Sequence, residues 1–72
     1  MKDPYEMLAN AIVLRAVRDY RDSLKKLKKY PNNKSALYTK REVERFFHSD
    51  WYASLTTVDP EMLIEKLKGE VI

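Results

Sequence analysis

The feature that most constrains the fold of this chain is the long interval between its first two prolines, Pro4 and Pro31, which contains no glycine. Within it, apolar residues recur at steps of four, three, four and three, which is the spacing of one face of an α-helix. These residues are Val13, Val17, Tyr20, Leu24 and Leu27. Asp3 can cap the first free amides of such a helix, and proline suits its first position. The sequence therefore predicts a first helix from about residue 4 to residue 29, roughly 39 Å long at 1.5 Å per residue.

A turn and a second helix follow in the sequence. Pro31, Asn32 and Asn33 have the chemistry of a turn that ends one helix and precedes another. Over 34–48, one face carries Ala36, Thr39, Val43, Phe46 and Phe47. This pattern predicts a second helix that runs antiparallel to the first.

The remaining residues predict two shorter helical segments. Ser49 and Asp50 interrupt the second helix because they prefer caps to helix interiors, and 50–55 is expected to form one further turn. Asp59 and Pro60 repeat the start signal of a helix, and Gly69 is expected to end it. No strand alternation is present. We therefore predict one all-α domain, residues 1–72, with a long N-terminal helix, an antiparallel second helix and a short C-terminal helix.

The segment "FFHSDWYASL", residues 46 to 55, concentrates aromatic residues and the single histidine. Phe46, Phe47, Trp51 and Leu55 share one side if the helical phase continues through the segment. The C-terminal helix offers them an apolar surface made of Leu63, Ile64 and Leu67. We interpret the segment as a corner of the core in which Trp51 is buried, with His48 and Tyr52 facing outward.

The short length of the chain favours self-association. A domain of 72 residues has a core that rarely supplies more than ~3–5 kcal/mol without a disulfide, a metal or a partner chain. Cysteine is absent and there is one histidine, which excludes disulfides and His-rich zinc sites. Residues 7–17 carry apolar side chains on two faces, with Leu8, Ile12 and Val13 on one. The other face, with Met7, Ala11 and Leu14, predicts an oligomer interface, and the candidate interface residues are these three and the adjacent Leu8.

Positive charge is concentrated in the middle of the sequence. The net charge is +3, yet residues 15–45 hold eleven basic and four acidic side chains, whereas the two ends hold three and seven. Arg18, Arg21 and Lys25 form a stripe along the first helix, and Arg41 and Arg45 add charge on the second. The stripe predicts an anion-binding surface. A lysine-rich solvated helix is the competing interpretation.

Two kinds of anion fit this charge. In the first hypothesis, Arg41 and Arg45 bind the phosphates of a nucleotide between subunits, and Tyr38 or Tyr52 stacks on its base. The further candidate ligand-binding residues are His48 and, on the first helix, Arg18, Arg21 and Lys25. In the second, the surface binds nucleic acid through phosphate contacts. A structural adaptor without an anionic ligand is a third alternative.

Nothing in the sequence points to catalysis. His48, Ser49 and Asp50 are the residue types of a hydrolase triad, but triad members converge from separate segments. We predict a non-enzymatic protein with no cofactor, no metal and no membrane-spanning segment, and we expect it in the cytoplasm.

"ERFFHSDWYASLTTVDPEMLIEKL", residues 44–67, resembles a C-terminal pattern of short uncharacterised proteins from phages and prophages of Gram-positive bacteria. The resemblance rests on the spacing of Phe46, Ser49, Asp50, Trp51, Leu55 and Leu63. It implies a mobile-element setting, in which small proteins often inhibit a host factor, trap a defence signal or regulate transcription. The leading expectation is therefore an oligomeric phage protein that inhibits host defence by capturing an anionic nucleotide or a host protein.

Overall fold

A computed structural model describes residues 4–71 of the chain, and it describes side chains from residue 9 onward. The described residues form four helices and no strand: α1 (Pro4–Lys29), α2 (Lys34–Phe47), α3 (Asp50–Leu55) and α4 (Pro60–Glu70). The all-α prediction is therefore confirmed. The first helix has the predicted bounds, and the second ends one residue before the predicted His48.

Side-chain caps explain where α2, α3 and α4 begin. The Asn33 side chain accepts a hydrogen bond from the Ala36 amide, and Ser49 accepts one from the Tyr52 amide. Asp59 accepts one from the amide of Glu61, and Pro60 occupies the first turn of α4. Each cap satisfies an amide that has no partner within its own helix.

The core lies where α2, α3 and α4 meet the middle of α1. Tyr20, Phe47, Tyr52 and Leu67 are its largest fully buried side chains. The rings of Tyr20 and Tyr52 both meet Phe47 edge-on, with centroid distances of 5.7 and 5.6 Å. Edge-on contact is favourable for aromatic rings because of their quadrupole. Since Tyr20, Phe47 and Tyr52 belong to α1, α2 and α3, the aromatic corner joins three helices in one cluster.

The corner is built differently from the prediction, because Trp51 is 58% exposed and Tyr52 is 2% exposed. Our expectation of a buried Trp51 and an outward Tyr52 was wrong. It extended the phase of α2 through Ser49, but Ser49 is extended (φ −86°, ψ 159°) and begins a new helix. The break changes the phase, which turns Tyr52 inward and leaves Trp51 edge-on against Phe46 at 5.4 Å.

The expected end of the last helix also needs correction. Gly69 lies inside α4, its φ is not positive, and the helix continues to Glu70 with Val71 as its cap. The Val71 amide donates to the Lys68 carbonyl group at 3.3 Å, which closes the last turn without a left-handed residue. Gly69 therefore has no terminating role.

The difference in helix length leaves the N-terminal half of α1 only partly covered. α1 has 26 residues and α2 has 14, and the molecule measures 43 × 20 × 19 Å. Ile12 and Val13 are half-buried, whereas Ala11 and Leu14 are exposed. The two faces predicted for this segment are therefore distinct. The side chains of Met7 and Leu8 lie outside the described part of the chain.

Candidate anion-binding surface

Four exposed residues follow one another at steps of four, three and four along the side of α2 that faces away from α1. They form the α2 outer face: Lys34, Tyr38, Arg41 and Arg45. The buried residues of the same helix, Ala36, Val43 and Phe47, lie on its opposite side. The packing of α2 on α1 thus places three cationic side chains and one aromatic ring, 67% exposed, on a single surface.

Two acidic residues of α2 lie beside this face, and both have basic partners within the helix. Arg45 lies 3.4 Å from Glu42, and Lys40 lies 3.1 Å from Glu44. The Arg45 side chain is 79% exposed, so solvent screens its pair strongly and an anion can compete for it. The α2 outer face itself contains no acidic residue.

The carboxylate of Glu44 is directed toward the interior instead. It accepts a hydrogen bond of 2.6 Å from the hydroxyl group of the buried Tyr20. Burial raises the pKa of Glu44, but the hydrogen bonds from Tyr20 and Lys40 and the charges of Lys40 and Lys68 outweigh it, so this pKa lies below its ordinary value. Glu44 therefore stays ionised as a structural group that joins α2 to α1.

The basic residues predicted on α1 do not join the α2 outer face. Tyr20 and Ser23 are buried toward α2, and helical geometry places Arg18 and Lys25 on the far side of α1. Arg21 forms two hydrogen bonds with the carboxylate of Glu70 in α4, at 2.7 and 3.2 Å. The hydrogen bond from Arg21 lowers the pKa of Glu70. The charge of Arg21 is thus largely compensated within the molecule.

The prediction of Tyr52 as a ligand-binding residue was wrong, because its ring is buried and cannot stack on a base at the surface. Its hydroxyl group donates a hydrogen bond of 3.0 Å to the Val58 carbonyl group, which satisfies its polar end inside the protein. Burial, and to a lesser extent the charge of Asp59, raises the pKa of Tyr52. Of the two predicted stacking rings, Tyr38 alone is exposed.

His48 is exposed, as predicted, but both of its ring nitrogens have partners. Nδ1 lies 2.9 Å from the Glu44 carbonyl oxygen, and Nε2 lies 3.0 Å from a carboxylate oxygen of Glu61. Both partners are acceptors, so both nitrogens donate only in the imidazolium form. The Glu44 carbonyl group first, and the Glu61 carboxylate second, raise the pKa of His48. His48 therefore links α2 to α4.

A cavity of about 430 Å³ lies between the end of α2, α3 and the loop before α4. Phe47, Tyr52 and Val58 supply apolar walls, and Asp50 and Asp59 are its acidic members. This charge disfavours an anionic ligand. Among the residues described, no group of three His, Asp or Glu side chains could hold a metal ion, and no helix is long and apolar enough to cross a bilayer.

Sequence reasoning missed the exposed indole of Trp51 and the pairing of Arg21 with Glu70. The phase change at Ser49 was available as a signal, since serine is a preferred cap. The Arg21–Glu70 contact joins residues 49 positions apart, and a spacing pattern does not reveal such contacts. No protein-family model matches this chain, and searches of curated proteins and of solved structures found no significant match.

Proposed function

We propose that this chain is a non-enzymatic binding protein whose α2 outer face binds the phosphate backbone of a nucleic acid. The observation that supports the proposal is the composition of that face. On the exposed side of one helix, the ring of Tyr38 lies between Lys34 and Arg41, and Arg45 follows. Basic side chains at such spacing can contact successive phosphates, and an exposed aromatic ring can stack on an unpaired base.

The shape of the face favours an extended partner over a small one. The outer side of a single helix is convex, and small ligands are bound in concave sites that cover most of their surface. A strand or duplex does not need to be enclosed, because each phosphate is contacted from one side.

A nucleotide held between two copies of the chain is the second candidate. The exposure of Tyr38 and its position three residues before Arg41 favour it, since the ring and the guanidinium group lie on the same side of α2. In this version a second surface completes the site. Together with the resemblance to phage proteins, it would make the chain an inhibitor that sequesters a nucleotide signal of host defence.

Titrations at 50 and 200 mM salt test the proposal against the second candidate. If three phosphates are contacted, we expect the affinity to fall about 40-fold for a labelled duplex and about 20-fold for a labelled single strand; with six or more contacts, the affinity for the duplex should fall ~10³-fold. Affinity for cyclic and linear nucleotides should fall much less. Nucleotide binding without nucleic-acid binding would establish the second candidate instead.

Two matched variants locate the contact. Arg41→Gln should weaken nucleic-acid binding and lower the salt slope by about 1, whereas Lys66→Gln removes the same charge from the exposed side of α4 and should leave both unchanged. Equal effects of the two variants would show that only net charge matters and would reject the α2 outer face as the site. No binding to either ligand would leave a host protein or an adaptor role as the alternative.

A further inference from the structure

In the N-terminal half of α1, the apolar side chains of Ala11 and Leu14 are exposed, without an intramolecular cover. Leu14 is 63% exposed. Helical geometry places position 7 on the same side, because positions 7, 11 and 14 are separated by four and three residues. A surface groove of about 550 Å³ is lined by Ala11, Leu14, Arg15, Arg18 and Asp19. We call the surface around Ala11 and Leu14 the α1 seam.

Charge changes sign along α1 at this seam. Residues 15–29 carry seven basic and two acidic side chains, a balance of +5, whereas Glu6 is the one charged residue of segment 4–14, a balance of −1. Two copies packed in parallel would place the +5 segments side by side, and like charges that face each other are destabilising. An antiparallel pair instead places segment 4–14 of each copy, with its balance of −1, beside Arg15 and Arg18 of the other.

We propose that a second copy of this chain packs antiparallel on the α1 seam. Spacing of four and three residues is the pattern of helices that pack along each other with a small crossing angle. The small side chain of Ala11 permits close approach near the centre of the pair, and Leu14 packs across it. Arg15 and Arg18 border the apolar contact and lie beside the N-terminal part of α1 in the second copy.

This interface lies apart from the α2 outer face, which remains exposed in both copies. The inference therefore does not depend on the function proposed above, and the two can fail separately. The antiparallel pair also buries apolar surface of α1 and so adds to the stability of a small core, since burial contributes roughly 25 cal/mol per Å² of apolar surface.

Sedimentation of the chain across a concentration series tests the pairing. At micromolar concentration we expect twice the 8.6 kDa mass of one chain. Leu14→Glu should restore the single-chain mass with an unchanged helix content, because Leu14 is exposed in the single copy. Met62→Glu is the matched control, since Met62 is 61% exposed on α4, and it should remain a dimer. A wild-type monomer, a Leu14→Glu dimer, or dissociation by both variants would overturn the proposal.

The orientation is tested separately by a distance measurement. The chain contains no cysteine, so Lys25→Cys gives one spin label per copy. In an antiparallel pair centred near Ala11, the labels lie roughly 40 Å apart at 1.5 Å per residue. A distance below about 20 Å would indicate parallel helices and would overturn the antiparallel arrangement.

Discussion

Tyr52 combines an apolar ring and a polar hydroxyl group in a fully buried position. Its ring contacts Phe47 and Phe46 edge-on at 5.6 and 5.8 Å, and its hydroxyl group bonds the Val58 carbonyl group. The residue thus connects α3 with α2 and with the loop before α4. A tyrosine is suited to this role because a buried hydroxyl group without a partner would be costly.

Substitution of Tyr52 and Trp51 should therefore have very different consequences. We expect Tyr52→Ala to lower the free energy of unfolding by about 3–5 kcal/mol, which is comparable to the whole stability of so small a domain. Trp51→Ala should lower it by about 1 kcal/mol or less, because Trp51 is 58% exposed. Urea denaturation followed by circular dichroism measures both. A larger loss for Trp51→Ala would contradict the burial described for this corner.

Apolar spacing alone does not decide whether Trp51 or Tyr52 faces the core. Trp51 and Tyr52 are both aromatic, and either one can face the core if the phase of the helix is unknown. The phase depends on Ser49, whose hydroxyl group donates to the Phe46 carbonyl group and accepts from the Tyr52 amide. Both hydrogen bonds are local, each to a residue three positions away, and they set the direction of every side chain that follows in α3.

Helix boundaries were more predictable than side-chain directions because caps are local. The starts at Pro4, Lys34, Asp50 and Pro60 agree with the observed helices, and each follows a residue that can cap free amides. The end of α4 was less predictable. A glycine ends a helix when the chain needs a left-handed residue, and the chain needs none at Gly69.

The position of Gly69 inside α4 gives a prediction for this element. A Cβ atom at residue 69 would meet no atom within 4 Å, and alanine favours helix formation over glycine by roughly 1 kcal/mol. Gly69→Ala should therefore raise the free energy of unfolding by about 0.5–1 kcal/mol. Thermal and urea denaturation of the variant measure the change. A loss of stability would mean that residue 69 is left-handed in solution and that α4 ends where the sequence predicted.

For the whole molecule, some contacts between helices are made by ionisable groups whose pKa values are shifted in opposite directions in the folded protein. Glu44 joins α2 to Tyr20 of α1, and Glu70 joins α4 to Arg21. Both carboxyl groups have pKa values below the ordinary 4.5. Their contribution to stability is present above that pH and is lost as the pH falls through the lowered values.

The contribution of His48 to stability has the opposite pH dependence. Its pKa in the folded chain is raised above the ordinary 6.5. Its contribution is therefore complete below pH 6.5 and is lost as the pH rises through the raised value. The contact with Glu61 is exposed at both side chains, 48% and 79%, so solvent screening keeps this contribution small.

These opposite signs predict a stability maximum between about pH 4.5 and 6.5, with a decline on either side. Urea denaturation at intervals from pH 3 to pH 8 measures the profile. Glu61→Gln should flatten the decline above pH 6.5, because the imidazolium ion then loses its carboxylate partner and its pKa moves back toward the unfolded value. Glu65→Gln, on an exposed position of the same helix, should leave the shape of the profile unchanged. Stability that continued to rise from pH 6 to pH 8 would show that His48 and Glu61 do not hold α2 against α4.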